Sequence, residues 1–221
     1  MGIKILYDKG GGGGGGKSAD ISFAYYYCGI VQDDEHVWSY QMSREYHFCP
    51  HIKGGNGYPD FFSEGKPFKI HMRIKATSLK HYAQRDSTNS LFGSTYNYYD
   101  FPSCDFYLDV IGLGINREYA WDDWYDMSGF LLENGNVYII ELGWTGEKVF
   151  INIYDEDNTL IAGKEWNRTT GYFPRRNGEN SKYFCFGGLE RSSSHDLRGC
   201  EIDITDTYVE VDDELIWGGK K

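Results

Sequence analysis

The sequence predicts an all-β protein, an antiparallel sandwich or barrel, on three observations. Aromatic residues make up 17% of the 221 residues, and 28 glycines stand against 5 prolines, a composition that suits strands and turns. Short segments alternate apolar and polar residues with a period of two, as strands with one face in a core do. No long segment spaces its apolar residues for a helix, so strand follows strand across turns. A chain of this length buries a sizeable core without staples.

The elements follow in order. Residues 1–17 read as an arm separate from the domain at 18–221. Ile3–Tyr7 has the pattern of one short strand, and the uninterrupted run Gly10, Gly11, Gly12, Gly13, Gly14, Gly15 and Gly16 follows it. Such a run has the largest entropy to lose on ordering, and it also permits close backbone packing against a partner. It is therefore read as an anchoring arm that docks on an assembly, with a plain linker as the alternative. Ile21–Tyr27 is the first strand of the domain. Phe68–Lys75 alternates strictly, and in Cys104–Gly112 the residues Phe106, Leu108 and Val110 share one face. Val137–Leu142 is apolar on both faces except at Glu141. Gly143–Glu147 reads as a turn, Lys148–Tyr154 as the returning strand, Asp155–Asn158 as a second turn and Thr159–Lys164 as a further strand. Tyr183–Gly188 is a strand ending in a tight corner. Ile202, Ile204, Tyr208, Val209, Val211 and Ile216 complete the apolar set.

Charge and motifs exclude several functions. The formal net charge is −11 and the Lys and Arg residues are scattered, which opposes nucleic acid or an anionic membrane surface as partner. No segment has the roughly 20 apolar residues of a membrane-spanning helix. The N-terminus turns polar too early for a secretory signal, and no export address is readable. The five cysteines are widely spaced and form no zinc pattern. They fit small residues of a reducing compartment, with a Cys185–Cys200 disulfide as the alternative. Gly112-Leu113-Gly114 lacks the third glycine and the helix of a dinucleotide site. No cofactor and no metal are expected.

The end of the chain carries a resemblance. Phe184, Phe186, Gly187 and Gly188 precede a polar loop, then Gly199, Ile202, Asp203 and Ile204, then Tyr208, Val209, Val211 and Trp217. This order resembles the closing strands of a concanavalin A-like jelly roll, and more narrowly the laminin-G-like domains of tailed-bacteriophage virion proteins. Phe68–Leu79 resembles an early strand of such domains and Val137–Tyr154 their central meander, so the resemblance covers roughly 66–219. It implies a jelly-roll β-sandwich and a non-enzymatic structural or adhesion protein of a virion, a fibre or decoration subunit. It also implies other virion subunits as partners and residence in the virion after synthesis in a host cytoplasm; the large aromatic content of a small domain suggests more than one buried surface, hence a homo-oligomer.

Two chemistries compete within that fold. Glu201, Asp203 and Asp206 stand at i, i+2 and i+5 in GCEIDITDTYVEV. They resemble the acidic strand of laminarinase-like retaining glycosidases, where nucleophile and acid lie about 5–5.5 Å apart. The third position is Asp rather than Glu, the motif falls on the last strands, and Asp203 recurs in non-enzymatic relatives. No catalytic residue is therefore assigned, and a hydrolase or a stand-alone lectin remains the alternative. Glycan binding instead needs flat aromatic faces beside carboxylates. Tyr119, Trp121, Asp122, Asp123 and Trp124 supply both within a few residues, and Tyr98 and Tyr99 form a second such group. Both groups read as loops, where binding residues concentrate. The plain alternative is aromatics that cap the sandwich or line a subunit interface.

Overall fold

The computed structural model describes residues 22–26, 28–32, 37–41, 47–51, 65–76, 89–95, 104–109, 112–117, 120–126, 132–168, 183–186 and 200–218, with side chains over 65–76, 132–168, 186 and 201–218. The described residues form fifteen strands in two antiparallel sheets.

The first sheet holds β2 (Cys28–Gln32), β3 (Val37–Gln41), β5 (Phe68–Ala76), β10 (Val137–Trp144), β11 (Lys148–Asp155), β12 (Leu160–Asn167), β14 (Cys200–Val211) and β15 (Glu214–Gly218). Its order is β12-β11-β10-β5-β14-β3-β2, with β15 also paired to β14. The second sheet holds β1 (Ser22–Tyr26), β4 (His47–His51), β6 (Asn89–Thr95), β7 (Cys104–Asp109), β8 (Gly112–Arg117), β9 (Ala120–Asp126) and β13 (Tyr183–Phe186), in the order β1-β4-β13-β6-β7-β8-β9. This is the antiparallel jelly-roll sandwich that the sequence predicts.

Period-two alternation decides which face meets the core. On β5, Phe68, Ile70, Met72, Ile74 and Ala76 are buried, and the register sets Ile140 opposite Met72, Leu142 opposite Ile70 and Val209 opposite Ile70 on the other side. Val149, Ile151 and Ile153 of β11 continue the apolar face. Trp217 of β15 lies against Phe186 of β13 with ring centroids 5.1 Å apart, a contact that joins the two sheets. Full burial of each such side chain stabilises the fold by about 1.5–3 kcal/mol. Gly143 has no room for a Cβ, which would collide with the Phe68 carbonyl, so β5 and β10 can lie close there.

Several expectations are corrected. Residues 18–65 carry four described strands, β1 to β4, divided between the two sheets, where Ile21–Tyr27 is the one strand expected. Gly143 and Trp144 extend β10, because Trp144 pairs with Val149 and its indole donates to the Arg168 carbonyl at 3.0 Å; the turn is confined to Thr145–Glu147. The expected strand Cys104–Gly112 ends as β7 at Asp109, and Gly112 opens β8. Ala120–Asp126 is not a loop but the edge strand β9, held by pairing with β8, with Asp122 the extra residue of a bulge. The strand bearing Glu201, Asp203 and Asp206 is last but one in sequence yet interior in the sheet. β5 borders β14 along its length, β3 borders its first half and β15 its second. A two-residue hairpin makes this possible. Asp212 and Asp213 both take positive φ (51° and 63°), the primed-turn geometry that Asp tolerates and that matches the twist of two antiparallel strands. The arm at 1–17, with Gly10–Gly16, lies outside the described residues, as do Tyr98, Tyr99 and Tyr119.

Candidate functional site

The outward face of the eight-stranded sheet carries ionisable residues where the inward face carries aliphatic ones. Lys69, His71, Arg73 and Lys75 alternate with the buried residues of β5, so strand geometry puts four bases in one row. Acidic residues from neighbouring strands meet them. Lys69 Nζ lies 2.8 Å from Glu210 Oε2 on β14. His71 Nδ1 lies 3.2 Å from Glu141 Oε1 on β10, and its Nε2 faces Asp206 Oδ1 at 3.5 Å. Arg73 reaches Glu156 at 3.2 Å and Asp206 at 3.8 Å. Glu201 stands opposite Lys75 in the register. Tyr154 donates to Glu141 Oε2 at 3.1 Å, so this carboxylate accepts at both oxygens. The Tyr208 ring stacks on the His71 imidazole, centroids 4.5 Å apart and planes within 9°.

A bulge delivers Asp206 to this row. Asp203 pairs with Arg73 and Thr207 with Met72, so Ile204, Thr205 and Asp206 have no counterparts on β5. Asp203 organises the excursion. Its Oδ1 accepts from the Thr205 amide at 2.9 Å and the Thr205 hydroxyl at 2.7 Å, and the Thr207 hydroxyl donates to the Asp203 carbonyl at 2.6 Å. Asp203 is fully buried. The three carboxylates thus differ in role: Glu201 faces Lys75, Asp203 shapes the bulge, and Asp206 meets His71 and Arg73.

The environment sets the charges. Burial alone would lower the His71 pKa, but hydrogen bonding and attraction from Asp206 and Glu141 outweigh it and raise the pKa above its ordinary value. Glu141 moves the other way: its bond to His71 holds it below the usual carboxylate range despite burial. Burial raises the Tyr208 phenol. Lys69, which burial would lower, is raised on balance by its bond to Glu210. His71 favours the imidazolium and Glu141 the carboxylate, so the cluster is a set of ionic donors and acceptors. The His71 and Asp206 side chains are 12% exposed, Arg73 15% and Glu141 20%, so the cluster is recessed and not sealed.

Of the residues singled out by sequence, Tyr98, Tyr99 and Tyr119 lie outside the described residues, and Trp121, Asp122, Asp123 and Trp124 are described by their backbone. Trp121, Asp123 and Trp124 pair with Asn116, Ile115 and Gly114 on β8, in the other sheet. Of the acidic triplet, Asp206 reaches His71 and Arg73. Two features of the sequence mark the cluster: the row of four bases in FKIHMRIK, and the lone acid in VYIIELGW. Among the described residues, no group of three or more His, Cys, Asp or Glu is placed to hold a metal ion. No described helix is long and apolar enough to cross a membrane.

No protein-family model and no curated protein matches the chain. Solved structures match over most of its length at low identity. A protein of unknown function from Shewanella oneidensis MR-1 is 13% identical, with a TM-score of 0.49 over 96% of this chain and 87% of that one. The exoplasmic/lumenal domain of VIP36 in its Ca2+-bound form is 11% identical, with a TM-score of 0.50 over 88% of this chain and 84% of that one. A mutant Trypanosoma rangeli sialidase displaying trans-sialidase activity is 10% identical, with a TM-score of 0.45; this chain spans 28% of its length. The likeness to the VIP36 domain is one of fold alone, an antiparallel jelly-roll sandwich.

Proposed function

We propose that this is a non-enzymatic, carbohydrate-binding structural or adhesion subunit of a tailed-phage virion, and that it takes glycan hydroxyls on the outward face of the eight-stranded sheet around His71. The observation that carries this reading is the contrast within β5. β5, whose inner face is entirely apolar, and its neighbours β10 and β14 hold Lys69, His71, Arg73, Glu141, Asp206 and Glu210 in a recessed ionic network on the outer face. Recessed ion pairs give little net stability, because desolvation offsets their attraction, and packed apolar residues would serve a purely structural role at least as well. Perturbed ionisable groups gathered in one place are the usual mark of a site. Ionised carboxylates accept from sugar hydroxyls, and Arg and imidazolium donate to them.

The protonation pattern supports binding over hydrolysis. A retaining glycosidase needs one carboxyl kept protonated by a raised pKa, whereas Glu141 is lowered. Asp203 is committed to the bulge by two hydrogen bonds. The virion context rests on the resemblance at Phe184–Trp217 and on the poly-glycine arm. A second reading, acid–base cleavage of a polysaccharide, is favoured by one observation: His71 lies between two carboxylates.

One experiment separates them. The wild type and Glu141→Gln are applied to a glycan array, and bound polysaccharides are then assayed for new reducing ends. Retained glycan that Glu141→Gln weakens about tenfold, roughly 1.4 kcal/mol, with no new ends, supports the binding reading. New ends lost in Glu141→Gln replace it with catalysis. No retained glycan overturns both. Trp121→Ala with Trp124→Ala tests the other sheet and is expected to leave retention unchanged.

A further inference from the structure

We propose that a cavity beside the His71 cluster takes an amine-bearing sugar residue, so that the protein selects oligosaccharides of free amino sugars over N-acetylated and acidic ones. This rests on the glycan face argued above and names its ligand class. The cavity lies between the turn that leads into β10 and the β11–β12 turn. Its volume is about 460 Å³, within the range of about 300–1,000 Å³ usual for small-molecule sites.

Both walls are fixed by hydrogen bonds made within the protein. On one side, the Gly135 amide donates to the Ala76 carbonyl at 2.7 Å and the Ala76 amide to the Asn136 carbonyl at 2.9 Å, which ties the turn to the end of β5. The Tyr138 hydroxyl accepts from the Glu133 amide at 2.9 Å and from the Asn136 side-chain amide at 3.3 Å. On the other side, Asp155 Oδ1 accepts from the Asp157 and Thr159 amides at 3.0 and 2.8 Å. Ile161, the extra residue of a bulge between β11 and β12, adds an apolar patch that is 43% exposed.

The charge of the lining decides the ligand. Glu133, Asp155, Glu156 and Asp157 line the cavity, and among the described residues no Lys, Arg or His does. Two of these acids are engaged: Asp155 holds its turn, and Glu156 accepts from Arg73 at 3.2 Å. The carboxylates of Glu133 and Asp157, one on each wall, have no hydrogen bond or ion pair among the described residues. A cationic donor suits them best, because charge-assisted hydrogen bonds are roughly twice as strong as neutral ones. Among the described residues no group of acids converges to hold a metal ion. The cavity therefore suits a cation carried on a larger frame: a sugar amine, with hydroxyls for Asn136 and a ring face for Ile161. N-acetylation would remove that charge, and a uronate would set like charge against the acids.

Arg73 joins the cavity to the glycan face. It reaches Asp206 of the cluster at 3.8 Å and Glu156 of the cavity at 3.2 Å. Tyr138, in the cavity lining, pairs with Ile74, which lies about 10 Å along β5 from His71 at the rise of a strand. A short oligosaccharide covers both.

Calorimetry on the full chain, with glucosamine and N-acetylglucosamine tetramers at one ionic strength, reads the preference directly. The wild type is expected to bind the glucosamine tetramer about tenfold more tightly, the gain that one charge-assisted hydrogen bond supplies. Glu133→Gln combined with Asp157→Asn is expected to lose that preference at an unchanged melting temperature, because both residues are exposed. Glu147→Gln combined with Glu214→Gln removes the same charge from exposed positions elsewhere and is expected to keep it. Equal wild-type affinity for the two tetramers overturns the cavity inference and leaves the glycan face standing. Loss of preference in both double variants reduces it to diffuse attraction by a chain of net charge −11 and overturns it. A lysine tetramer bound as tightly as the glucosamine tetramer overturns the assignment to a sugar. Binding of neither sugar tetramer overturns the inference as well, and the glycan array then tells whether the face around His71 falls with it.

Discussion

The two faces of the eight-stranded sheet are made by the same strands, and both are largely withdrawn from water, yet they are held by different physics. Inside, Ile70, Met72 and Ile74 are 0–1% exposed and lie mostly against apolar neighbours in register, so each contributes through area removed from water. Outside, Lys69, His71 and Arg73 are 12–36% exposed, and each is matched by a carboxylate from another strand. Burial on the inner face stabilises without regard to pH or partner geometry. On the outer face the stabilisation exists only while charge states and distances hold. The inner face specifies the fold; the outer face is where chemistry can be tuned without losing it.

The sharpest way to break this contrast is to truncate one residue on the inner face. Ile70→Ala is expected to destabilise by about 2–5 kcal/mol, as large-to-small changes in packed cores do. Denaturant unfolding should show a lower midpoint at every pH tested. A loss well under 1 kcal/mol would mean that the sheets are loosely packed at β5.

Asp203 sits between the two regimes, and its effect is expected next in size. It is buried like a core residue but holds the bulge through polar bonds. Asp203→Ala would leave the Thr205 amide and hydroxyl without their acceptor, at about 1–3 kcal/mol for a buried polar group left unmade. It should also move Asp206 away from His71. The comparison that matters is Asp203→Asn, which keeps one acceptor oxygen. Recovery of most of the stability with Asn would confirm that the oxygen, not the charge, shapes the bulge.

That bulge also shows where the sequence stops being readable. Alternation in FKIHMRIK and in KVFINIY is periodic enough to give the strands and their inner faces directly, and the two sheets follow from many such segments. The same rule fails in GCEIDITDTYVEV, because three inserted residues reset the alternation and only the pairing with β5 reveals them. The candidate site is built from β5, β10, β11 and β14, whose residues are up to about 140 positions apart in sequence. No local motif contains His71, Glu141 and Asp206 together. The aromatic and acidic residues of AWDDWYD were conspicuous for composition alone, but β-pairing rather than loop chemistry fixes their backbone.

A pH scan separates the two faces in a third way, with a smaller effect. The raised His71 pKa means that the imidazolium is better stabilised in the fold than in the unfolded chain. Its contribution is complete below the unfolded value of about 6.5 and fades as pH rises through the higher folded value. Glu141 has the opposite sense: its lowered pKa gives stability that is present above the unfolded carboxyl value and is lost as pH falls through the folded one. Together they predict a stability maximum on the mildly acidic side of neutrality. His71→Gln should flatten the alkaline limb, and Ile70→Ala should lower the whole curve without reshaping it. NMR titration of the His71 ring should give a midpoint above 6.5; a midpoint below it would show that burial outweighs the two carboxylates.

The smallest effect is expected where a charge pair has no recess at all. Lys148 and Glu165 approach to 2.7 Å, closer than any His71 contact, but their side chains are 44% and 53% exposed. Distance alone would rank this pair first. Solvent screening and the entropy of two long side chains rank it last, because exposed pairs are worth little. Lys148→Met is expected to leave the unfolding midpoint unchanged, while Lys69→Met, whose partner Glu210 is only 11% exposed, lowers it measurably by leaving that carboxylate without its cation. If Lys148→Met proved the more damaging of the two, recess would not be what distinguishes the outer face, and the His71 cluster would lose its standing as a site apart from the ordinary charged surface.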